Sequence, residues 1–255
     1  MSQSMQGRVR TLPESYVPDP AMLPPEGGPL REVLLSNSWF NGLPDYLIDE
    51  ILATGHRKAF RARELVHGKG DSSDGIYAVL SGAVKVCSIS ADGLECVFRY
   101  LSPGNWFGEI GTLDHSLRTH DAQAIEDSEL FFLSALEVSR ILENHPIFYK
   151  FLALLLCRVV RTAFTMLDDS ALLSVSARLA KRLISFAEAY GEPRPEGTLI
   201  RLHLTQNDLA TIINTTRQTI NKRFVCWQDL GWIDARYGRI MITNIAALRQ
   251  FAEEE

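Results

Sequence analysis

Two short helices joined by a tight turn are predicted by the stretch Leu204-Thr-Gln-Asn-Asp-Leu-Ala-Thr-Ile-Ile-Asn-Thr-Thr-Arg-Gln-Thr-Ile-Asn-Lys-Arg-Phe224. Thr205 and Asp208 have the spacing of a capping box, with Asp in place of the usual Glu, so the first helix begins there. Asn214 falls where the turn needs a left-handed backbone, which Asn tolerates better than most residues. This order of cap, helix, turn and helix is typical of a helix-turn-helix unit.

The second of these helices is predicted to present a polar face to solvent. Thr215 or Thr216 caps it, and Ile220 and Phe224 recur at the spacing that turns them inward. The exposed side then carries Arg217, Gln218, Asn221 and Lys222. Because Arg can read guanine O6 and N7 and Gln can read adenine N6 and N7, we expect a recognition helix for DNA. The other candidate DNA contacts on the two helices are Thr205, Gln206 and Thr216.

A β-hairpin is predicted directly after the second helix, over residues 232–242, with Tyr237 and Gly238 at its tip. Such a hairpin is a wing, and Arg236 and Arg239 are placed to meet the DNA backbone. Residues 199–240 hold six Lys or Arg and three Asp, which gives +3, so the remainder carries −8 of the total charge of −5. A basic face on an acidic body is compatible with DNA binding through one module.

A long apolar helix is predicted upstream, from Pro146 to about Leu167, followed by a break at 168–170. A 3-4-3-4 spacing, as in a coiled-coil seam, relates Leu152, Leu155, Val159, Thr162 and Met166. We therefore expect a homodimer formed through the 146–167 helix. The alternative is a helix that is simply buried in the core of a monomer.

The region from about 59 to 133 changes to short strand-like runs separated by turn residues, which indicates an antiparallel roll or barrel. Residues 1–38 hold six prolines and no sustained periodicity, so we interpret them as a flexible arm that is able to pack on the body. Strands and helices in separate regions make the fold class α+β.

Composition excludes several other classes of protein. With 46% hydrophobic residues, no apolar run near ~18 residues and no signal-peptide pattern, we expect a cytoplasmic protein without a membrane partner. The four cysteines are widely spaced, so no metal site is expected. No nucleophile–base motif and no glycine-rich phosphate loop of the Walker or dinucleotide-binding type is present, and we do not expect an enzyme.

Three segments carry a resemblance to a known family: Gly70–Val86, Gly104–Ile110 and Leu204–Arg223, in that order along the chain. On these segments the chain, over about residues 43–251, resembles the catabolite activator and fumarate-nitrate regulator (CRP/FNR) family. The resemblance implies a cyclic-nucleotide-binding-type β-roll, a long dimerisation helix and a C-terminal winged helix-turn-helix. It also implies a transcription regulator that binds a two-fold symmetric DNA site as a homodimer, and that meets RNA polymerase if it is an activator.

The implied domains are the arm 1–38, the β-roll 39–145, the dimerisation helix and hinge 146–170, and the DNA-binding domain 171–255. In nucleotide-binding members of the family, a short helical cassette in the roll holds the cyclic phosphate. The resemblance implies that Gly108 offers a backbone N–H, Glu109 accepts the ribose hydroxyl, Arg118 pairs with the phosphate and Thr119 donates to it. Ile110 belongs to the same cassette.

The chain departs from the family pattern at two places. His120 and Asp121 follow where a small residue is usual, and the dimer-helix positions that meet the base are Ala163 and Phe164. Neither can hydrogen-bond a base edge, which leaves Thr162 and Thr165 as the candidates. Three alternatives remain for the effector: a cyclic nucleotide (cAMP or cGMP), another small molecule, or none, and no cofactor is required.

An alternative function is a signal-binding module that works through protein partners without sequence-specific DNA binding. The intact set of polar residues on the predicted helix-turn-helix argues against it. Gln218 stands where many relatives of the family have Glu, so we expect a DNA half-site different from that of the best-known cAMP-dependent activator.

Overall fold

The computed structural model describes residues 30–90 and 95–254. Three short helices come first: α1 (Leu30–Leu35), α2 (Ser38–Asn41) and α3 (Asp45–Thr54). The following strands and helices are β1 (His56–Phe60), β2 (Leu65–His67), β3 (Gly75–Ser81), β4 (Val84–Ile89), β5 (Glu95–Leu101), β6 (Trp106–Phe107), α4 (Glu109–Asp114), β7 (Asp121–Ala124), β8 (Ser128–Ser134) and α5 (Ala135–Asn144). The strands form two antiparallel sheets, β1-β8-β3-β6 and β2-β7-β4-β5, which confirms the predicted roll.

The strand β5 contains a β-bulge that changes which side of the sheet its residues face. Val86 pairs with Arg99 and Cys87 pairs with Val97, so Phe98 is the extra residue. Leu101 belongs to the apolar cluster inside the roll, whereas Val97 belongs to a second cluster shared with the C-terminal helices. The bulge thus lets one strand contribute to two cores.

An aromatic cluster holds the first helices against the roll. Trp39 of α2 meets Trp106 of β6 edge to face at 5.3 Å, and Phe40 stacks on Trp106 at 5.1 Å. Leu34 of α1 is fully buried in the same cluster. The prediction of a flexible arm is therefore wrong over residues 30–38, because these apolar side chains anchor two helices that are too short to show periodicity. Residues 1–29 lie outside the described residues.

The boundary between two helices lies at a different place from the one predicted. These are the long helix α6 (Phe148–Leu172) and the next helix α7 (Val175–Tyr190). The predicted break at 168–170 lies inside α6, and the chain turns instead at Leu173 and Ser174. Ser174 caps α7 by accepting a hydrogen bond from the Ala177 N–H. Asp169 pairs with Lys181 of α7 at 2.7 Å, so this acidic residue ties the two helices together rather than ending the first.

The predicted seam of α6 is wrong for its first half. Leu152 and Leu155 are buried against the roll within the protomer and cannot reach a partner helix. The exposed apolar stripe lies one or two residues further along and consists of Ala153, Cys157, Val160, Phe164 and Leu167. The error arises because α6 is apolar on two sides, and spacing alone does not say which side faces the roll.

The C-terminal part continues with β9 (Gly191–Arg194), β10 (Gly197–Ile200), α8 (Gln206–Ile212), α9 (Arg217–Asp229), β11 (Ile233–Arg236), β12 (Arg239–Ile242) and α10 (Ile245–Glu254). Its sheet has the order β11-β12-β10-β9. Ala210 and Ile213 of the helix-turn-helix share one apolar cluster with Cys87 and Val97 of the roll. The two parts are therefore joined by a continuous core.

His67 lies inside the roll between two aromatic rings. Its ring centroid is 6.2 Å from that of Tyr77 and 5.9 Å from that of Phe107. Both ring nitrogens are buried and make no hydrogen bond of normal geometry among the described residues, although the backbone of His120 lies close enough to affect the pKa. Burial, aided by the positive charge of Arg118, lowers the pKa of His67 to about 4. The neutral imidazole is therefore the folded form at neutral pH.

Replacing His67 with Phe is expected to reduce the acid sensitivity of the fold. The unfolded chain takes up a proton on this residue near pH 6.5, whereas the folded chain does so only near pH 4. The free energy of unfolding therefore falls as the pH drops through that window. Urea unfolding at pH 7 and at pH 4.5 measures the fall, which should be smaller in His67→Phe.

The matched control is His115→Asn, because His115 is exposed and Asn tolerates its left-handed backbone, with φ of 57°. This control should retain the wild-type fall in stability between the two pH values. An equal fall in His67→Phe and in the wild type would contradict the depressed pKa.

Candidate DNA interface and effector site

The turn between α8 and α9 has the geometry that the sequence predicts. The Asp208 N–H donates to Thr205 Oγ1 at 3.2 Å, and the Thr205 N–H donates to Asp208 Oδ2 at 2.7 Å, which completes a capping box. Asn214 has φ of 53°, as predicted for the turn. Thr216, rather than Thr215, caps α9 by accepting a hydrogen bond from the Thr219 N–H at 3.2 Å.

The helix α9 separates an apolar face from a polar face. Ile220, Phe224 and Trp227 are buried on one side. The exposed residues on the other side include Thr216, Arg217, Gln218, Asn221 and Lys222. Neither Arg217 nor Lys222 forms an ion pair within the part of the chain that the structure describes. Their charges are therefore available to an external anion such as a DNA phosphate.

One contact ties the first helix of the motif to the second. Gln206 Nε2 donates to Asn221 Oδ1 at 3.2 Å, so these two predicted DNA contacts hold each other in place. Thr205 is half-buried, and its hydroxyl donates to Asp208 Oδ2 at 2.7 Å. The hydroxyl proton of Thr205 is therefore already used within the cap. The backbone N–H groups of the first turn of α8 lie beside it.

The wing is formed by β11 and β12, with Tyr237 and Gly238 at the tip as predicted. Tyr237 is 98% exposed. A Cβ on Gly238 would lie 2.4 Å from the His203 ring, and with φ of 77° the position requires glycine. Arg239 is exposed, whereas Arg236 pairs with Asp234 at 3.0 Å, a partner that the sequence argument did not identify.

The predicted effector residues Gly108, Glu109 and Arg118 lie together in the roll. Gly108 precedes α4 with φ of 90°, and a Cβ there would lie 2.7 Å from Arg118 Nη1 and 2.9 Å from the Gly75 carbonyl oxygen. Glu109 is 3% exposed, and burial raises the pKa of its carboxyl, with Arg99 and Arg118 acting in the opposite direction. The glycine is therefore needed for the guanidinium to lie against the backbone.

Arg118 is oriented by three acceptors of the roll. Nη1 donates to the Gly108 carbonyl at 2.8 Å, while Nη2 donates to the Gly75 carbonyl and to Asp74 Oδ1, both at 2.5 Å. Asp74 also accepts a hydrogen bond from the Tyr77 hydroxyl. Burial acts to raise the pKa of Asp74, but the hydrogen bonds from Tyr77 and Arg118 outweigh it and hold the pKa below its usual range. Sequence reasoning missed Asp74, because no local pattern links it to a residue 44 positions away.

The other predicted effector residues lie at the edge of this group. Thr119 is exposed, and its hydroxyl lies 2.9 Å from His120 Nδ1. Ile110 is half-buried. The Asp121 carboxylate accepts a hydrogen bond from the Lys69 N–H at 2.7 Å, so this acidic side chain is held by the neighbouring turn.

Two predicted base contacts, Thr162 and Thr165, lie on the exposed part of α6. Their hydroxyls donate to the carbonyls of Arg158 and Arg161 one turn earlier, each at 3.0 Å. The described contacts do not join either threonine to Glu109 or Arg118. Each hydroxyl oxygen retains its capacity to accept a hydrogen bond.

Among the described residues no helix is long and apolar enough to cross a membrane. The same residues contain no group of three or more His, Cys, Asp or Glu side chains arranged to hold a metal ion.

Comparison with known proteins agrees with this geometry. Residues 57–145 match the cyclic nucleotide-binding domain, and residues 177–251 match the Crp-like helix-turn-helix domain. A CRP-like cAMP-activated global transcriptional regulator of Mycobacterium tuberculosis is 24% identical, over 88% of this chain and 100% of its own length. The cyclic AMP receptor protein of Thermus thermophilus is 26% identical, over 84% of this chain and 95% of its own.

A solved structure of a CRP/FNR-family transcriptional regulator from Thermus thermophilus superposes with a TM-score of 0.67 at 24% identity, covering 78% of this chain and 98% of that one. The two domain matches occur in the order of that family, and the fold contains both domains and the long helix between them. The chain belongs to the CRP/FNR family of DNA-binding transcription regulators.

Proposed function

We propose that this regulator binds a two-fold symmetric DNA site as a homodimer and that a cyclic nucleotide in the roll controls it. The observation that carries the DNA part is the face of α9 that bears exposed Arg217, Gln218, Asn221 and Lys222 over a buried apolar face. The first turn of such a helix reaches base edges in the major groove. The proposed backbone contacts are Thr205, Thr216, Arg236 and Arg239, and Gln206 supports Asn221.

Arg217→Ala is expected to cost about 1–3 kcal/mol of specific DNA binding, because the lost side chain makes a bidentate base contact. Fluorescence anisotropy with a site selected from a random DNA pool measures this loss. Arg140→Ala is the matched control, since Arg140 is exposed on α5, far along the chain from the helix-turn-helix. Equal affinity of Arg217→Ala and wild type would contradict a base contact by Arg217, and loss in both variants would point to a general charge effect.

The exposed stripe of α6 supports the homodimer. Val160 is 49% exposed, and Phe164 and Leu167 are each 63% exposed, at alternating three- and four-residue spacing. Large apolar side chains in such a row seldom remain in water, and a second copy offers an identical row. A two-fold symmetric DNA site requires two recognition helices about 34 Å apart, one for each half-site, and a homodimer supplies two α9 helices.

Phe164→Glu is expected to convert the dimer into a monomer, since it places charges face to face in the seam. Sedimentation velocity at micromolar protein measures the change in mass. Leu136→Glu is the control, because Leu136 is 70% exposed on α5 and lies outside the stripe. An unchanged dimer in Phe164→Glu would show that the stripe is not the interface.

Two buried charged residues beside Gly108, Glu109 and Arg118, support a cyclic nucleotide as the effector. A carboxylate suits a ribose hydroxyl, and a planar guanidinium suits a phosphate that carries one negative charge. The relative from Mycobacterium tuberculosis is described as cAMP-activated. Thr119, the next residue along the chain from Arg118, is proposed to donate its hydroxyl to the phosphate, and Ile110, Thr162 and Thr165 are proposed as further contacts.

Calorimetric titration with cAMP and with cGMP is expected to show saturable binding of one or both nucleotides. Thr119→Val should weaken binding about tenfold, because a hydrogen bond to a charged group is lost. Thr119 is exposed, so this variant leaves the buried contacts of Arg118 in place, which Arg118→Gln does not. Absence of heat from both nucleotides, with DNA binding intact, would indicate another effector or an effector-independent regulator.

A further inference from the structure

One polar residue on the exposed face of α9 is held by a residue outside the helix. Asn221 lies one turn after Arg217, so the two side chains share the face that is proposed to meet DNA. Gln206, the first residue of α8, is half-buried, and its Nε2 donates to Asn221 Oδ1 at 3.2 Å. Among the described residues, the side chains of Arg217, Gln218 and Lys222 make no hydrogen bond or ion pair. Asn221 is therefore the member of this face whose orientation the fold determines.

The backbone of Gln206 is itself fixed by its neighbours in α8. Thr205 and Asp208 close the capping box on either side of it, with their backbone N–H groups as donors. Leu209 and Ala210 of the same helix are buried in the core. Gln206 cannot shift without breaking one of these contacts, so its side chain holds its partner on α9 from a defined position.

A carboxamide has two chemically different ends, and this contact uses one of them. The oxygen is an acceptor, whereas the amino group carries two donors. Reading adenine with both ends requires the oxygen to accept from N6 while the nitrogen donates to N7. Because the Asn221 oxygen already accepts from Gln206, its amino group is the end that is left for a base.

An amino group in the major groove distinguishes two classes of base. The keto bases, guanine and thymine, present acceptors at O6 and N7 and at O4. The amino bases, adenine and cytosine, present donors at N6 and N4, which cannot accept a hydrogen bond from Asn221. The hydrogen bond to Gln206 therefore favours a keto base opposite Asn221.

We propose that Gln206 determines the base preference of Asn221 by holding its oxygen, so that Asn221 reads a keto base, guanine or thymine, in each half-site. Gln206 is then a positioning residue that acts through Asn221. The inference rests on the proposed function, because it assumes that α9 enters the major groove. It adds the chemical class of base that is read at one position and the residue outside α9 that selects it.

Substitutions of Gln206 change the direction of this hydrogen bond. Glu is an acceptor only, so in Gln206→Glu the Asn221 nitrogen donates to it and the oxygen is left for the base. The oxygen accepts from adenine N6 or cytosine N4, and the preference should reverse to the amino bases. Lys is a donor only, so Gln206→Lys should keep the preference for keto bases. Met has no donor, so Gln206→Met frees the amide of Asn221 and should leave little preference.

The test is sequencing of the sites that the full-length protein and its variants select from a random DNA pool, with cAMP and cGMP present. Asn221→Ala identifies the position that Asn221 reads, because the preference is lost there and retained in the rest of the half-site. At that position the wild type and Gln206→Lys should favour keto over amino bases about tenfold, as expected for one base contact. Gln206→Glu should reverse this ratio.

Asn207→Glu is the matched control for the added charge. Asn207 is the next residue of α8, it is exposed, and its side chain makes no hydrogen bond within the described part of the chain. The variant places the same negative charge near DNA as Gln206→Glu and should weaken binding to all sequences alike. Because the partner of Asn221 is intact, the wild-type preference should remain.

A wild-type preference for adenine or cytosine at the Asn221 position would overturn the inference. So would an unchanged preference in Gln206→Glu, or a reversal that Asn207→Glu reproduces. Unchanged preferences at every position in Asn221→Ala would overturn it as well, because Asn221 would then read no base. If the wild type selects no sequence at all, the proposed function itself fails, and the inference fails with it.

Discussion

The contact between the two domains is made by the outer strands of one sheet of the roll, and its edge strand β5 belongs to two cores at once. In a regular strand Val97 and Leu101 would face the same side, because side chains alternate with a period of two. The bulge at Phe98 breaks this alternation, so Leu101 packs inside the roll while Val97 packs with the helix-turn-helix. Tyr100 extends the second core by meeting Phe186 edge to face at 5.2 Å. A shift of β5 caused by a ligand in the roll would therefore act directly on the DNA-binding domain.

Arg118 differs from Arg99 and Arg182 in its electrostatic environment. Arg118 is buried, but three acceptors surround it, so its desolvation is offset and its position is fixed. A cyclic phosphate beside it would share the guanidinium with Asp74, which leaves the Thr119 hydroxyl and the backbone N–H groups at α4 to carry selectivity. Among the described residues Arg99 and Arg182 lack such partners, and burial lowers the pKa of both.

Local patterns in the sequence predicted the local structure well. The capping box at Thr205, the left-handed Asn214 and the wing tip at Tyr237 each follow from residues within a few positions of one another, and each is present. The long-range relations were not accessible in this way. Asp74 meets Arg118 through strand pairing and a turn, and no periodicity of either segment indicates that contact. The helices α1 and α2 form because Leu34, Trp39 and Phe40 find a distant core, so their sequence alone predicted an arm.

The correction to α6 has a mechanical consequence. Leu152 and Leu155 fix the first half of the helix to the roll, whereas Thr162 and Met166 on the same side line a cavity between the roll and α7. Val160 and the rest of its stripe face outward. One rigid helix thus connects the roll, the cavity and the surface proposed to meet a second copy. Packed helices move as units, and a small rotation at an interface is transmitted along them. A change in how two α6 helices pair would therefore act on the roll, and a ligand in the roll would in turn bias that pairing, because coupling between two sites is reciprocal.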